Sequence, residues 1–257
     1  MDVHKFYPRM NVIYILWLRQ LKRYTRSKAR MIGSLGQPLL FLLALGFGFG
    51  PIYEQAGGGD YFQFIAPGII SMGILFTAVF SGIEMIWDRQ FGFLKETLVA
   101  AVSRTQIMFG RTLGGATVAF IQGLAVLVLA VLFGFRPQSL ALLPVAFAAM
   151  FLTALLFTAF GTAIASRMED MQAFPLIMNF VMMPLFFLSG SLFPLQGLPA
   201  VMTDIAAINP LSYGVDALRA TLVNGSYFGL GIDFLVLSIM TACMIVLGSR
   251  LFSKIQL

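Results

Sequence analysis

The chain has 257 residues, of which 59% are hydrophobic, and its mean hydropathy is +0.88. A soluble globular domain is roughly half apolar, so the composition excludes that class and indicates an integral membrane protein. The single cysteine, Cys243, excludes an internal disulfide, a CxxC redox pair and a cysteine-based metal site, and it is expected in the apolar core. The net charge of +6 would indicate nucleic-acid binding only if the basic residues formed one solvated face.

Six apolar runs are long enough to cross a bilayer, which takes about 20 helical residues. They cover residues 31–52, 61–83, 107–134, 140–166, 172–190 and 231–250. The Lys and Arg residues alternate between the two sides, with 15 on one side and 2 on the other. The positive-inside rule therefore places both termini in the cytoplasm. The same rule explains the excess of basic residues without nucleic-acid binding. We expect a multi-pass protein of the cell (cytoplasmic) membrane, all-α, with residues 1–257 forming one transmembrane domain.

Residues 1–30, ahead of the first span, have an amphipathic pattern. On a helical wheel the apolar face carries Ile13, Leu16, Trp17, Leu21 and Tyr24, and the opposite face carries Arg19, Lys22, Arg23 and Arg26. Such a helix is predicted to lie along the inner leaflet of the lipid bilayer, where each basic residue contributes about 1 kcal/mol near anionic lipid. It is either an orienting anchor or a contact for a cytoplasmic partner.

A charged segment, WDRQFGFLKETL at residues 87–98, interrupts this apolar chain after the second span. Its charges would cost about 2.5 to 3.5 kcal/mol each at mid-membrane, so it is predicted outside the bilayer on the cytoplasmic face. Trp87, Phe91, Leu94 and Leu98 recur at helical spacing and predict a short amphipathic helix. Either it rests on the lipid headgroups, or it docks into a cytoplasmic protein and passes force to spans two and three.

Residues 191–230 are predicted on the external side. They contain Pro194, Pro199 and Pro210 and so cannot form one regular span, since proline interrupts a helix interior. Two short helices with a break at Asn209 and Pro210 are expected, either re-entrant from outside or lying on the outer surface. Within them Asp216 and Arg219, at positions i and i+3, predict a local ion pair or a role in gating.

Two further patterns have more than one interpretation. Asn179 in span five is expected either to hydrogen-bond a neighbouring helix or to line a substrate path. The GxxxG patterns of Gly46 with Gly50 and Gly110 with Gly114 permit close helix approach, but a chain with 25 glycines makes them weak indicators of a dimer interface.

Two long segments resemble one family. WDRQFGFLKETLVAAVSRTQIMFGRTLGG, which begins at Trp87, and FFLSGSLFPLQGLPAVMTDIAAINPLSYGVDALRA, residues 186–220, resemble the permease subunits of type-2 ABC exporters, in the daunorubicin-resistance and nodulation-factor export branch. With six spans and this length, the resemblance covers essentially the whole chain. Ala101 stands where the family often has proline, so the turn after the charged segment is less sharply defined here.

The resemblance implies a homodimer, or pseudo-dimer, bound to two copies of a cytoplasmic ABC ATPase that holds ATP and Mg²⁺. Residues 84–106 would form the coupling segment and residues 191–230 the external re-entrant helices. The ATPase-coupling residues would be Trp87, Asp88, Arg89, Phe91, Gly92, Phe93, Leu94, Lys95, Glu96 and Leu98. We expect the substrate path along Phe76, Asn179, Met183 and Phe186, and an external gate at Asn209, Pro210, Asp216 and Arg219.

The sequence also bears on competing functions. It contains no G-x-x-x-x-G-K-[ST] segment, so the chain is expected to bind no nucleotide or other cofactor itself and to be no enzyme. An intramembrane hydrolase would need a nucleophile and a base in the bundle, whereas the only histidine, His4, lies in the N-terminal tail. An ion-driven secondary transporter, for which Asp233 is the nearest candidate, and a non-transporting partner of an ATPase stay open. The prediction is an ATP-driven exporter of an amphipathic drug-like or lipid-linked molecule.

Overall fold

A computed structural model describes residues 9–57, 59–92 and 103–253, with the side chains of residues 9–11 and 253 left out. These residues contain no strand and confirm the predicted all-α class. The helices are α1 (Arg9–Arg26), α2 (Lys28–Gln55), α3 (Tyr61–Phe80), α4 (Ile83–Gln90), α5 (Arg104–Leu132), α6 (Leu143–Ala165), α7 (Ala173–Phe187), α8 (Ala200–Ile208), α9 (Pro210–Leu222) and α10 (Leu230–Ser253). Five spans long and apolar enough to cross a membrane are found among them, namely α2, α3 with α4, α5, α6 and α10.

The predicted fifth span, 172–190, is shorter than expected. Its helix, α7, has 15 residues and a length of about 22 Å, against about 30 Å of bilayer hydrocarbon. It nevertheless joins the two ends of the bundle. Next to its start, Glu169 accepts a hydrogen bond from Gln90, and just after its end Leu192 accepts one from Tyr61. Residues 188–192 complete the crossing as turns, so the apolar run overstated the length of the helix.

Helix α3 lies at the centre of the bundle and contacts α2, α5, α6 and α9. Most of its residues are buried, whereas few residues of α2 and α10 are buried. Small residues let its neighbours approach closely: a Cβ atom added to Gly123 of α5 would lie 2.6 Å from Cγ1 of Ile74. The exposed faces of α2 and α10 are apolar, as expected for helices that face lipid or another membrane protein. Cys243 lies on such a face of α10, so its predicted core position is wrong.

The amphipathic helix α1 packs along α5 rather than only resting on a lipid surface. Gly110 and Gly114 make this contact possible. A Cβ atom on Gly114 would lie 2.7 Å from the Cβ of Gln20. Trp17 donates a hydrogen bond to Thr117 at 3.0 Å. One of the two GxxxG patterns therefore serves packing within the chain, because a residue without a side chain lets the α1 backbone come close.

The connecting segments gather at two ends of the bundle in the alternation that the sequence predicts. At one end α4 meets α1, the start of α5 and the end of α6. At the other end Gln63 bonds to Gly134 and Arg136, and Gln138 bonds to Leu222. We call these the charged end and the opposite end, and the cytoplasmic assignment of the charged end stays a prediction.

Two short helices, α8 and α9, lie at the opposite end, as the prediction for residues 191–230 expected, and of the two it is α9 that enters the bundle. The break falls at Asn209, between α8 and α9. Helix α9 is largely buried and packs on α3, α6 and α10, while α8 is mostly exposed. The approach of α9 to α6 is close, since a Cβ atom on Gly214 would lie 2.7 Å from Oγ1 of Thr153 in the middle of α6.

Candidate functional site

The start of the predicted coupling segment is helical, but with other bounds than expected. The periodicity of residues 87–98 predicted one helix, whereas α4 begins at Ile83 and ends at Gln90. Gly92 follows in the left-handed region, with φ of 81°, a conformation that glycine adopts without steric cost and that commonly ends helices. A helix continuous from Trp87 through this point is therefore wrong.

Asp88, predicted as a coupling residue, is buried within this chain. Only 6% of its side chain is exposed, and it forms an ion pair with Arg111 of α5, which is 5% exposed. From α1, Arg19 donates to the other carboxylate oxygen at 3.0 Å, and Nη1 of Arg23 lies 3.8 Å away. A carboxylate this deeply buried requires such partners, because an unpaired charge in a low-dielectric interior is strongly unfavourable.

Glu84, one turn earlier on α4, is the second buried acid of this cluster. Its carboxylate accepts a hydrogen bond from Arg30 of α2 at 2.9 Å, and Nη1 of Arg23 lies 3.7 Å away. Its Oε2 has no hydrogen-bond partner among the described residues. Four arginines from three helices thus face two carboxylates of α4, and we call these six residues the charge cluster: Arg19, Arg23, Arg30, Glu84, Asp88 and Arg111.

Arg89 points toward the end of α6. Its guanidinium donates to the carbonyl oxygens of Ser166 and Met168 at 3.4 and 3.3 Å, and it lies 3.6 Å from the exposed carboxylate of Glu169. A cation is favourable there, because the last carbonyl groups of a helix carry partial negative charge and have no partner within the helix. The predicted ATPase contact at Arg89 is therefore occupied by this chain in the conformation described.

A surface groove of about 620 Å³ runs between α1 and the end of α4. Arg23 lies over the ring of Trp87, with its Cζ 5.2 Å from the ring centroid. Phe91 is 69% exposed. The wall is basic and aromatic and contains Ile15, Leu18, Arg19, Lys22, Arg23, Arg26, Trp87, Asp88 and Phe91. Phe93, Leu94, Lys95, Glu96 and Leu98, the rest of the predicted coupling residues, lie outside the described residues.

A second, more enclosed space of about 310 Å³ lies between α1, α2, α3, α4 and α5, and we call it the inner cavity. The charge cluster borders it through Arg30 and Glu84, and apolar side chains such as Met72 and Phe76 line another part of it. The remaining wall includes uncharged polar residues: Gln20, Tyr24, Ser34, Gln37, Thr77 and Ser81. Tyr24 of α1 forms part of the wall and donates a hydrogen bond to Gln122 at 2.7 Å. Burial raises the pKa of the Tyr24 phenol, so that it stays protonated and able to donate.

The four residues predicted to form a substrate path do not meet in one cavity. Phe76 lines the inner cavity. Phe186 is fully buried and packs edge-on against Phe41, with ring centroids 6.1 Å apart. Asn179 is exposed on α7 and Met183 is partly exposed. The exposed part of α7 is otherwise apolar, with Leu176 73% and Phe180 80% exposed.

At the opposite end, Asn209 and Pro210 form the start of α9. The side-chain oxygen of Asn209 accepts a hydrogen bond from the backbone N–H of Leu211 at 3.0 Å and so caps the helix. Its amide nitrogen donates to the carbonyl oxygen of Leu185 in α7 at 2.6 Å. Pro210 occupies the first helical position, where a missing N–H has no cost. Asn209 therefore both begins α9 and fastens it to α7.

Asp216 and Arg219 do not form the predicted local ion pair. Asp216 accepts hydrogen bonds from the backbone N–H groups of Tyr227 and Phe228, both at 2.8 Å, and from Ser226. Arg219 instead donates to the carbonyl oxygen of Gly190 at 3.0 Å and lies over the ring of Phe64. The i, i+3 spacing allows the pair, but each side chain instead bonds to backbone groups of a loop. Those backbone groups would otherwise be buried without a hydrogen-bond partner.

Sequence reasoning missed most of the charge cluster. Arg30, Glu84 and Arg111 were not singled out, and Arg19 and Arg23 were assigned to lipid or to a partner. A signal was available: Glu84 and Arg111 are ionisable residues at the borders of apolar spans, where charges usually pair. Their partners could not be read from the sequence, because they lie 54 and 23 positions away.

Comparison with known proteins gives a consistent assignment. The model of a family described as "ABC-2 type transporter" matches residues 11–223. Nodulation protein J from Rhizobium leguminosarum bv. viciae is 28% identical over 211 residues, which cover 81% of each chain. Its counterpart from Rhizobium leguminosarum bv. trifolii is 29% identical over 82% of this chain and 78% of its own.

A relative named as a transport permease, ycf38 from Cyanophora paradoxa, is 28% identical over 84% of this chain and 75% of its own. The family model spans all the helices from α1 to α9, including α4 and both short helices of the opposite end. The chain therefore belongs to the ABC-2 type transporter family and is a membrane transport permease.

Proposed function

We propose that this permease is the membrane-spanning subunit of an ATP-driven exporter. It works as a homodimer with two copies of a cytoplasmic ABC ATPase in the cell membrane, and both of its termini are cytoplasmic. ATP and Mg²⁺ are held by the ATPase, since this chain has no Walker A segment. Membership of the ABC-2 type transporter family and the position of the charge cluster support this proposal.

The observation that carries the proposal is the ion pair between Asp88 and Arg111. Asp88 lies near the end of α4 and Arg111 near the start of α5, so the pair joins the two helices on either side of the segment that contains Lys95 and Glu96. A force applied to this segment would reach α4 and α5 together. Through Arg19 and Arg23 it would also reach α1. Packed helices joined by buried ion pairs move as a unit rather than deform, which suits transmission from an ATPase.

The groove beside Trp87 and Phe91 is the expected contact surface for the ATPase. Exposed aromatic and arginine side chains are enriched where proteins bind each other, and the basic wall selects an acidic partner surface. Phe91 is positioned for this contact because most of its ring is exposed at the helix end. Lys95 and Glu96 follow within four or five residues and complete the surface in this proposal.

The cargo is proposed to be an amphipathic drug-like or lipid-linked molecule moved outward from the cytoplasm or the inner leaflet. The exposed face of α7 carries Leu176 and Phe180 with a single amide, Asn179, among them. Two such faces, one from each copy, would make a largely apolar wall with few polar groups, which is the usual composition of a site for amphipathic ligands. Asp216 and Arg219 would hold the external loops that open at its exit.

The experiment is to purify the chain from its native membrane in mild detergent and identify the nucleotide-binding protein that accompanies it. We expect a Walker A ATPase at about equal stoichiometry, and its loss in the double variant Lys95→Glu with Glu96→Lys. The control reverses two exposed charges on the predicted external side, Arg136→Glu with Asp204→Lys. ATPase retained by the first variant, or lost equally in the control, would refute the assignment of the coupling loop.

A second candidate function, ion-coupled transport, is favoured by one residue. Asp233 at the start of α10 has no exposed surface, and neither carboxylate oxygen has a hydrogen-bond partner among the described residues. Buried carboxylates of this kind bind protons in many transporters. Export by membrane vesicles separates the two functions: it should require ATP and survive Asp233→Asn if the ATP-driven proposal holds. Export driven by a proton gradient without ATP, and lost in Asp233→Asn, would replace it.

A further inference from the structure

The inner cavity has a polar end and an apolar end. The polar end is formed by Arg30 and Glu84, and the apolar end by Pro38, Met72 and Phe76. Its volume, about 310 Å³, lies at the lower limit of the range of about 300–1,000 Å³ typical of small-ligand pockets. The cavity reaches the surface of the chain at Gly33 of α2, which lines it and is exposed. A ligand can therefore enter from the side of the bundle.

An excess of positive charge lies next to the polar end. Arg30 and Glu84 are the charged residues that line the cavity, and they belong to the charge cluster, in which four guanidinium groups face two carboxylates. Arg30 uses one of its five N–H donors on Glu84, and 40% of its side chain is exposed. Its remaining donors suit a phosphate, which arginine binds with two parallel hydrogen bonds. The polar end thus favours an anionic group.

Glu84 adds a second requirement for a ligand. Its side chain is 4% exposed, and Oε2 lies 3.7 Å from Nη1 of Arg23 but accepts no hydrogen bond from the described residues. A buried carboxylate oxygen normally has a donor, because leaving it unpaired is unfavourable. A hydroxyl or ammonium group beside the phosphate would supply that donor.

The dimensions match one leaflet of a bilayer. From Arg30 to Pro38 the cavity follows eight residues of α2, or about 12 Å of helix. Half of the hydrocarbon thickness of a bilayer is about 15 Å. A lipid whose phosphate lies at Arg30 would therefore place its acyl chain along Phe76 and Met72.

The cavity is closed toward the opposite end of the bundle. Beyond Met72, a Cβ atom on Gly73 would lie 3.1 Å from Cγ2 of Val126, and one on Gly123 would lie 2.6 Å from Cγ1 of Ile74. Helices α3 and α5 are in close contact there and leave no room for a ligand to pass. This space suits a resident molecule rather than one in transit.

We propose that the inner cavity binds an anionic glycerophospholipid of the surrounding leaflet, with its phosphate at Arg30, a head-group donor at Oε2 of Glu84 and one acyl chain along Phe76. The site lies within a single copy of the chain, and Phe76 is the one residue of the predicted substrate path among the residues that line it. It does not depend on an ATPase partner. Because Arg30 and Glu84 belong to the charge cluster, occupation by lipid would neutralise part of its excess charge beside α1 and α4.

Trp87 provides a direct test, since it lines the cavity. The chain has two tryptophans, so Trp17→Phe leaves Trp87 as the only reporter. The full-length variant would be reconstituted in phosphatidylcholine vesicles with increasing fractions of phosphatidylglycerol that carries bromine, a short-range quencher of tryptophan fluorescence, on its acyl chains. Phosphatidylglycerol offers a phosphate and hydroxyl donors, whereas brominated phosphatidylcholine, the comparison lipid, has no donor and no net charge. We expect phosphatidylglycerol to reach half-maximal quenching at about fivefold lower mole fraction than phosphatidylcholine. This factor corresponds to the contribution of about one arginine near an anionic head group.

Two pairs of variants separate the cavity from the general surface. Gly33→Leu should narrow the opening and weaken quenching, while Gly36→Leu, one turn away and outside the cavity, should not; an added Cβ meets no atom within 4 Å at either glycine. Arg30→Gln should remove most of the preference for phosphatidylglycerol, while Lys28→Gln, which removes the same charge outside the cavity, should preserve it. Elution at the position of the parent protein checks that each variant is folded.

The proposal is overturned if both lipids quench Trp87 at equal mole fractions, or if the two members of either pair behave alike. Equal behaviour of the glycine variants would mean that lipid reaches Trp87 from outside the cavity. Equal behaviour of the charge variants would mean that the surface potential, not Arg30, selects the lipid. None of these results would bear on ATP-driven export, which is tested separately by the ATPase recovered with the chain.

Discussion

Asp88 and Arg111 form a buried ion pair that joins the end of α4 to the start of α5. Both side chains are at least 94% buried, so the pair sits in a low-dielectric environment where each charge depends on the other. The pair also joins the helices on either side of the segment that the proposed ATPase would contact. A single interaction thus contributes both to the stability of the bundle and to its proposed mechanical connection.

Replacing Asp88 with alanine should strongly destabilise the protein. The change leaves Arg111 buried without its carboxylate, which typically costs about 3–5 kcal/mol. The measurement is the midpoint of thermal unfolding in detergent. Glu169→Ala is the matched control, because that carboxylate also pairs with an arginine but is 87% exposed, and it should change the midpoint little.

The double variant Asp88→Leu with Arg111→Met distinguishes lost charge from lost packing. Apolar residues of similar volume often replace a buried ion pair without loss of stability, so we expect the midpoint to recover toward that of the parent. Export should remain impaired, since Arg19 and Arg23 would lose the carboxylate that fastens α1 to α4. A double variant as unstable as Asp88→Ala alone would contradict this account.

Gly114→Leu should separate α1 from α5. An added Cβ would lie 2.7 Å from Gln20, and the longer side chain has no space without displacing the helix. In a Trp87→Phe background, Trp17 is the only tryptophan, and we expect its emission to shift to the red as its bond to Thr117 is lost. Gly50→Leu is the control because it belongs to the other GxxxG pattern but meets no atom within 4 Å. Equal emission from both variants would show that α1 does not need this close approach.

Much of the fold follows from the sequence, because apolar runs and basic residues indicate whether a segment lies in lipid or in water. They do not indicate which residues the segment contacts. The alternation of the connecting segments was predicted on that basis, whereas the break at Asn209 was predicted from the adjacent Pro210, and the structure agrees with both. The reduced length of α7 was not predictable, since hydropathy does not distinguish a helix from turns that are covered by neighbouring protein. Residues 93–102 lie outside the described part of the chain, so the coupling residues there stay predictions.

For the candidate site, less could be predicted from the sequence than for the fold. The pattern of α1 correctly separated an apolar face from a basic one, but it could not show that the basic face meets Glu84 and Asp88 of this chain. Likewise, the spacing of Asp216 and Arg219 suggested a pair, whereas long-range contacts to Gly190 and Tyr227 determine their orientation. Partner choice depends on tertiary packing, which local periodicity does not specify.

Asp216→Ala should release the loop between α9 and α10. The carboxylate accepts hydrogen bonds from two successive backbone N–H groups, at Tyr227 and Phe228, and these donors would lose their partner. Each unsatisfied buried group costs about 1–3 kcal/mol. We expect faster proteolysis after Tyr227 and a lower unfolding midpoint, while Asp204→Ala, at an exposed position of α8, should leave both unchanged. Unchanged proteolysis in Asp216→Ala would show that other contacts hold this loop.

Asn209 has two separable roles, and two substitutions should distinguish them. Asn209→Ser keeps an oxygen that can cap α9 but removes the amide that donates to Leu185. Asn209→Ala removes both interactions, and loss of the cap alone costs about 1 kcal/mol. We therefore expect the unfolding midpoint to fall in the order parent, Asn209→Ser, Asn209→Ala.

Measuring export by the two Asn209 variants tests a role of this residue that their stability does not reveal. If the bond between Asn209 and Leu185 controls how α9 moves against α7, both variants should lower export to the same extent despite their different stabilities. If Asn209 only stabilises the start of α9, export should follow the unfolding midpoint, and Asn209→Ser should retain most of it. The first result would support a gate at this helix start, because the residue would act through the connection between the two helices rather than through the cap.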